Sequence, residues 1–159
     1  MLSLDIIGAF DKVNHERLIH NLRYRRILYW TTAFIAFFLK DRETTIAIPG
    51  YESSTVRVVC GIPQGSTISP ILFLFFTASL LEGIEYTEAV GFADDTYLIA
   101  ISNSTKGTCD ALGKDHDSCL RWAVRHGAKF APKKYKVIHF TRGRKSTPES
   151  QRTPNIPSL

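Results

Sequence analysis

The chemistry open to this chain rests on three aspartates. Asp5 interrupts an apolar run at residues 2–7, and Asp94 and Asp95 stand side by side between two β-prone runs at 89–92 and 96–101. Strands far apart in sequence can be neighbours in a sheet, so the three carboxylates can share one site. Like charges gathered in this way repel and resist ionisation, and at neutral pH such a site needs cations to neutralise it. Oxygen ligands without His or Cys point to magnesium. Two such ions can clamp the attacking and leaving oxygens of an in-line phosphoryl displacement. An Asp-Asp pair in a turn is usually no more than turn chemistry. Asp5 is harder to dismiss, because an unpartnered carboxylate inside an apolar strand costs several kcal/mol.

The elements that must hold these residues follow from periodicity and punctuation. Residues 2–7 read as a buried strand carrying one carboxylate. Asn14 is placed to cap a helix with Leu18, Ile19 and Leu22 at helical spacing, and residues 27–39 continue as a second, apolar helix. Residues 44–48 and 55–60 predict a hairpin around Pro49 and Gly50. Gly61, Pro63 and Gly65 then break regular structure, and Ser69 with Pro70 predicts the N-cap and first position of an apolar helix at 71–81. The runs flanking Ala93-Asp94-Asp95 predict a second hairpin with both carboxylates at its tip. Residues 106–126 predict a long helix with Leu112, Cys119, Leu120, Ala123 and Val124 as its buried stripe and Gly127 just past its end. A last strand is expected at 135–140. The order β-α-α-β-β-α-β-β-α-β fits an α+β fold, an antiparallel sheet with helices packed on one face, better than a doubly wound parallel sheet.

Composition bounds the class. The 159 residues carry 20 Lys+Arg against 15 Asp+Glu, for a net charge of +5, with 44% hydrophobic and 22% charged residues. That is one modest domain able to bury a core, which excludes wholesale disorder. Cys60, Cys109 and Cys119 are odd in number and widely spaced, which disfavours a disulfide framework and a CxxC metal knuckle and fits a reducing, intracellular setting. The most apolar stretch, 71–81, is too short to span a bilayer, and no basic n-region precedes an h-region, so neither membrane insertion nor secretion is expected. Seven basic residues (Lys129, Lys133, Lys134, Lys136, Arg142, Arg144, Lys145) and no acidic one fall between 129 and 145, leaving the rest of the chain at net −2. Such a cluster can track nucleic-acid phosphates, with Lys133, Lys136 and Arg142 the candidates, although a basic run is more often a solvated face. The polar, Pro-containing residues 143–159 read as a disordered tail after a domain at 1–142.

Four blocks, LDIIGAFDKV (4–13), GIPQGSTISPILF (61–73), GFADDTYLIA (91–100) and FAPKKYKVIHFTR (130–142), stand in this order. Together they resemble the palm of the reverse transcriptases of non-LTR, LINE-like retrotransposons. A lone ADD is weak; a Phe-x-Asp-Asp hairpin downstream of a Pro-Gln-Gly loop and an Asp-x4-Phe strand is a strong joint signal. The resemblance implies that Asp5, Asp94 and Asp95 are the catalytic carboxylates. Asp5 and Asp94 would hold two magnesium ions, or manganese in their place, and Ile6 would lend its backbone carbonyl. It implies that Phe10 is an aromatic gate against a ribose 2′-hydroxyl, and that Gln64 and Gly65 touch the templating pair and nucleotide. Lys134, with Lys133 the alternative, matches a lysine that protonates the leaving pyrophosphate. The implied partners are an RNA template, a DNA primer and deoxynucleoside triphosphates, and the implied location is nuclear.

Tyr97 and Tyr135 depart from the family pattern, which usually has Asn or a small residue at the first and often Thr or Ser at the second. Neither change removes a metal ligand. Fingers before Asp5, a thumb after the last strand and an endonuclease are not recognisable. The chain therefore reads as a palm-centred fragment or degenerate copy of a longer retrotransposon protein, whose other parts would be partners. Two functions are in view: an RNA-directed DNA polymerase core, incomplete or inactive alone, and a non-catalytic nucleic-acid-binding remnant. A magnesium nuclease is a weaker third. His15-Glu16 with His20 is not a zinc motif, since the histidines are five apart. Cys109, His116, Cys119 and His126 lie near one helical stripe, and a straight helix cannot wrap four ligands around zinc.

Overall fold

Leu2, Leu4 and Ile6 alternate with Ser3 and Asp5, and this period of two makes β1 (Leu2–Asp5), whose apolar positions are buried. The computed structural model describes residues 1–140, which divide into two compact units, residues 8–79 and the rest. The Arg142 and tail readings lie outside the described residues.

The unit that contains β1 is a four-stranded antiparallel sheet, in the order β6 (Glu88–Phe92), β7 (Asp95–Ile99), β1, β8 (Lys136–Val137), with α4 (Thr105–His126). Thr96 and Leu98 are buried and pair with Leu4 and Leu2, so the apolar positions of β7 and β1 share one face. Leu112, Cys119, Trp122 and Ala123 of α4 are buried with them. Ser104 caps this helix by accepting from the Gly107 amide at 3.1 Å, and Gly127 ends it at φ 67°. Val124, expected in the stripe, is 83% exposed: the buried positions run through 112, 115, 116, 119, 122, 123 and 126, and Val124 falls on the opposite side. The last strand is shorter than expected, Lys136–Val137 in place of 135–140, and follows a 3-10 turn at Pro132–Lys134.

Wholly buried Asp115 accepts from the Glu85 and Tyr86 amides at 3.2 and 2.9 Å, fastening α4 to the turn before β6. Asp115→Ala is expected to cost about 2–3 kcal/mol by leaving both amides without an acceptor, read as a lowered urea midpoint. His116, also buried, meets Tyr135 edge to face at 5.4 Å with its Nε2 3.4 Å from the hydroxyl. Burial lowers its pKa, against a smaller opposing effect of Asp117, and burial with the Cys119 charge pushes the Tyr135 phenol up to about 12. A histidine held neutral by the fold contributes stability above its unfolded pKa of about 6.5 and loses it as pH falls through the lowered folded value. Thermal melts from pH 7.5 down to 5 are expected to fall less steeply in His116→Phe than in the natural chain. The Cys119 thiol, pushed up to about 12 mainly by burial, is a core group.

The second unit packs α1 (His15–Tyr24), α2 (Tyr29–Leu39) and the start of α3 (Ser69–Glu82) around Leu18, Leu22, Ile35, Leu39, Leu72, Phe73 and Phe76. Asn14 caps α1 as expected, accepting from the Arg17 amide at 2.9 Å. Buried Asn21 donates to the Phe75 and Phe76 carbonyls, both at 3.2 Å, tying α1 to α3. Ser69 is not a cap: it is the first helical residue, and its hydroxyl donates to the Pro63 carbonyl at 2.6 Å. The expected hairpin after α2 forms in pieces. Two-residue strands β2 (Glu43–Thr44) and β5 (Val56–Arg57) pair with each other, as do β3 (Ala47–Ile48) and β4 (Tyr51–Glu52). The ladder breaks where the Ser53 hydroxyl takes the Ile46 amide at 2.9 Å.

Candidate active site

Register brings the first two carboxylates together. Asp5, at the end of β1, is the direct antiparallel partner of Asp95, the first residue of β7, so both side chains leave the same face of the sheet. Phe92 pairs with Asp95 and closes the hairpin over a loop of only Ala93 and Asp94. Asp94 therefore sits in the turn while Asp95 belongs to the strand; the expectation that both would occupy the tip is corrected by this register. Ala93 holds φ 51°, a left-handed conformation that costs a non-glycine residue roughly 1–2 kcal/mol. The Ile6 amide donates to the Asp94 carbonyl at 3.4 Å. In extended backbone a residue's carbonyl faces the same edge as its amide, so the Ile6 carbonyl faces the Asp94 turn.

Lys134 reaches this group from the 3-10 turn. Its Nζ lies 3.0 and 3.3 Å from the two oxygens of Asp5, whose side chain is only 18% exposed. The lysine is itself 66% exposed, so the pair contributes no more than about 1 kcal/mol and the contact is readily exchanged for another ligand. Ser3 pairs with both Tyr97 and Lys136, which puts Lys136 on the carboxylate face as well. Lys133 is exposed in the same turn as Lys134. The Tyr97 hydroxyl donates to Asp95 Oδ2 at 3.3 Å. The Asp95 charge, then burial, then this hydrogen bond raise the Tyr97 pKa, so the phenol remains a donor.

Among the described residues no three His, Cys, Asp or Glu side chains converge closely enough to hold a metal ion. What the sheet offers is a partial shell of hard oxygens: Asp5, Asp95, the adjacent Asp94 and the Ile6 carbonyl. That donor set fits magnesium, which keeps much of its water and is held by one or two carboxylates while substrate phosphates supply further oxygens.

In the other unit, the loop carrying Gln64 and Gly65 is welded to the turn Phe10–Lys12. The Gly61 amide donates to the Val13 carbonyl and the Ile62 amide to the Phe10 carbonyl, both at 2.8 Å. Gly61 is at φ 88°, and a Cβ there would stand 2.7 Å from the Asp11 carbonyl oxygen. His15 Nε2 lies 2.7 Å from the Gly61 carbonyl, which also accepts from Arg42 at 3.3 Å. Gln64 is exposed, and its Nε2 donates to Asp11 Oδ1 at 2.8 Å. Gly65 sits at φ 85° with open space where a Cβ would be. The Phe10 ring packs on Phe73, centroids 5.3 Å apart, while keeping part of its surface in solvent. Asp11 was not singled out from sequence, and Gly61 only as a break in regular structure. The position of Asp11 directly after Phe10 was the available signal for the first, and a positive φ leaves none for the second beyond the residue being glycine.

Residues 1–154 match the reverse transcriptase (RNA-dependent DNA polymerase) family. The chain belongs to this family. Among its reverse transcriptase relatives are the RNA-directed DNA polymerases from mobile element jockey of Drosophila melanogaster, 27% identical, and of Drosophila funebris, 30% identical, each over 91% of this chain. The Retrovirus-related Pol polyprotein from type-1 retrotransposable element R2 of Popillia japonica is 31% identical over 62% of it. The chain spans 16% of the length of each of these three relatives. In structure it is similar to apo telomerase from Candida tropicalis truncated from the C-terminal domain, with a TM-score of 0.52 at 17% identity, over 91% of this chain and 31% of that one. That likeness concerns the fold, and it agrees with the mixed helices and antiparallel sheet expected from sequence. Among the described residues no helix is long and apolar enough to cross a membrane.

Proposed function

We propose that this chain is the catalytic palm portion of an RNA-directed DNA polymerase, transferring nucleotides from deoxynucleoside triphosphates to a primer 3′-hydroxyl on an RNA template. The observation that carries this reading is the Asp5–Asp95 register, with Asp94 in the adjoining turn, in a chain of the reverse transcriptase family. Asp5 and Asp94, with the Ile6 carbonyl, would hold two magnesium ions. Magnesium bound there would neutralise triphosphate charge and lower the pKa of the attacking hydroxyl.

The chain's own groups do the rest. Asp95 stands next to the ligands and is oriented by the Tyr97 hydroxyl. Lys134, released from Asp5, delivers a proton to the departing pyrophosphate as an ammonium donor. Phe10, stiffened by Phe73, fills the space that a ribose 2′-hydroxyl requires, so selection rests on a clash. Gln64 and Gly65 approach the nucleotide and templating base, with the missing Cβ of Gly65 allowing close backbone contact. Lys133, Lys136 and Arg142 neutralise backbone phosphates of template and primer. The reading includes other parts of a longer retrotransposon protein as partners and a nuclear site of action.

Primer extension on an RNA template with deoxynucleotides and magnesium, comparing the natural chain with Asp94→Asn, tests it. Extension that disappears in the variant is the expected result, with the remaining parts of a full-length relative supplied in trans where the chain alone is silent. Salt-sensitive nucleic-acid binding unaffected by Asp94→Asn, with no extension in either arm, would instead favour a non-catalytic remnant.

A further inference from the structure

The turn that bears Phe10 also bears the anchor of Gln64. Asp11, the residue after Phe10, accepts the Gln64 side-chain amide at 2.8 Å, while its backbone carbonyl lies under Gly61 and accepts from the Cys60 thiol at 3.4 Å. With Ile62 bonded to the Phe10 carbonyl and Gly61 to Val13, the turn and the loop form one hydrogen-bonded body. A carboxylate is an acceptor only, so it binds the nitrogen end of a carboxamide and rejects the oxygen end. Gln64 is then held by its Nε2, with Oε1 turned away from Asp11.

We infer that Asp11 is a positioning residue for nucleotide selection: acting through Gln64, it holds the amide by its nitrogen end and so locks the loop to the turn that bears the Phe10 gate, keeping that ring where a ribose 2′-hydroxyl would meet it. This rests on the functional reading above, in which Phe10 and Gln64 meet the nucleotide. Asp11 touches no substrate in this scheme. It is exposed, and its side chain makes no contribution to the core, so its replacement leaves the fold intact.

The test compares binding of fluorescent dGTP and GTP analogues, in magnesium, to the full chain and to Asp11→Ala, Asp11→Asn, Gln64→Ala, the Asp11→Ala/Gln64→Ala pair and Phe10→Ala. Asp11→Ala is expected to narrow the dGTP-to-GTP preference by about threefold to tenfold, the range of one hydrogen bond. The double variant should be no worse than Gln64→Ala alone, since the two act as one unit. Asp11→Asn, which keeps an acceptor oxygen, should recover most of the preference, a rescue that a merely structural role does not produce. The Gln64 side-chain amide resonances in a nitrogen-15 spectrum should move in Asp11→Ala with or without nucleotide. The inference is overturned if Phe10→Ala narrows the preference while Asp11→Ala does not, if the two alanine effects add, or if the Gln64 resonances stay in place. Failure of Phe10→Ala to alter the preference, or absence of nucleotide binding by the natural chain, overturns the functional reading itself and this inference with it.

Discussion

Asp5→Asn is expected to abolish the magnesium-dependent nucleotide addition proposed above, by about a thousandfold or more, while leaving the chain folded. The size of the effect comes from what a carboxylate does in this position. Its side chain is only 18% exposed, it stands opposite Asp95, and its two oxygens are held by one ammonium group. Asparagine keeps the shape and removes the charge that would neutralise a divalent ion, so the electrostatic stabilisation of the transition state goes with it. Stability is expected to change little, because the lost partner Lys134 is two-thirds exposed and such pairs contribute at most about 1 kcal/mol. Primer extension and a thermal melt on the same preparation separate the two quantities. A variant that melts like the natural chain and extends as well as it does would remove Asp5 from the mechanism.

The second large effect is on stability. Gly61→Ala would put a Cβ 2.7 Å from the Asp11 carbonyl oxygen and 3.0 Å from the Asp11 Cα and carbonyl carbon, at a φ of 88°. Those atoms are backbone and cannot rotate away, so the loop must shift, and the hydrogen bonds of Gly61 and Ile62 to the preceding turn shift with it. Left-handed strain and overpacking together are expected to cost about 3 kcal/mol. Gly65→Ala is the control. Its φ is nearly the same, 85°, and nothing lies within 4 Å of the new methyl, so strain alone of roughly 1–2 kcal/mol is expected. Urea unfolding of both variants measures the difference. Equal losses would mean that the contact with Asp11 contributes nothing and that the two loop glycines serve only the backbone conformation.

Much of this architecture is legible in the order of residues because it is local. Alternation of Leu2, Leu4 and Ile6 marks the strand that holds Asp5, Asn14 lies where a helix begins, and Gly127 lies where one ends. The second hairpin is placed to within two residues by its β-prone flanks. Local signals mislead where a side chain finds a better partner elsewhere. Ser69 has the composition of a cap, yet its hydroxyl serves the Pro63 carbonyl. The expected strand at 44–48 is broken because the Ser53 hydroxyl takes the ladder hydrogen bond of Ile46. Val124 is apolar but on the wrong side of its helix, a matter of rotation by 100° per residue that a choice among several apolar positions does not resolve.

By itself the sequence determined which groups are available for chemistry, three aspartates with lysines nearby in the chain order, and the α+β order of elements that carries them, since composition, periodicity and turn residues act over a few positions. The tertiary structure alone decided how those groups meet. Asp5 faces Asp95 rather than Asp94 because of strand register, Lys134 reaches Asp5 across 129 residues of chain, and Gln64 is claimed by an aspartate 53 residues away. Register and long-range hydrogen bonds are chosen by the packing of a whole unit, and one residue of slip would turn every side chain of β7 to the other face.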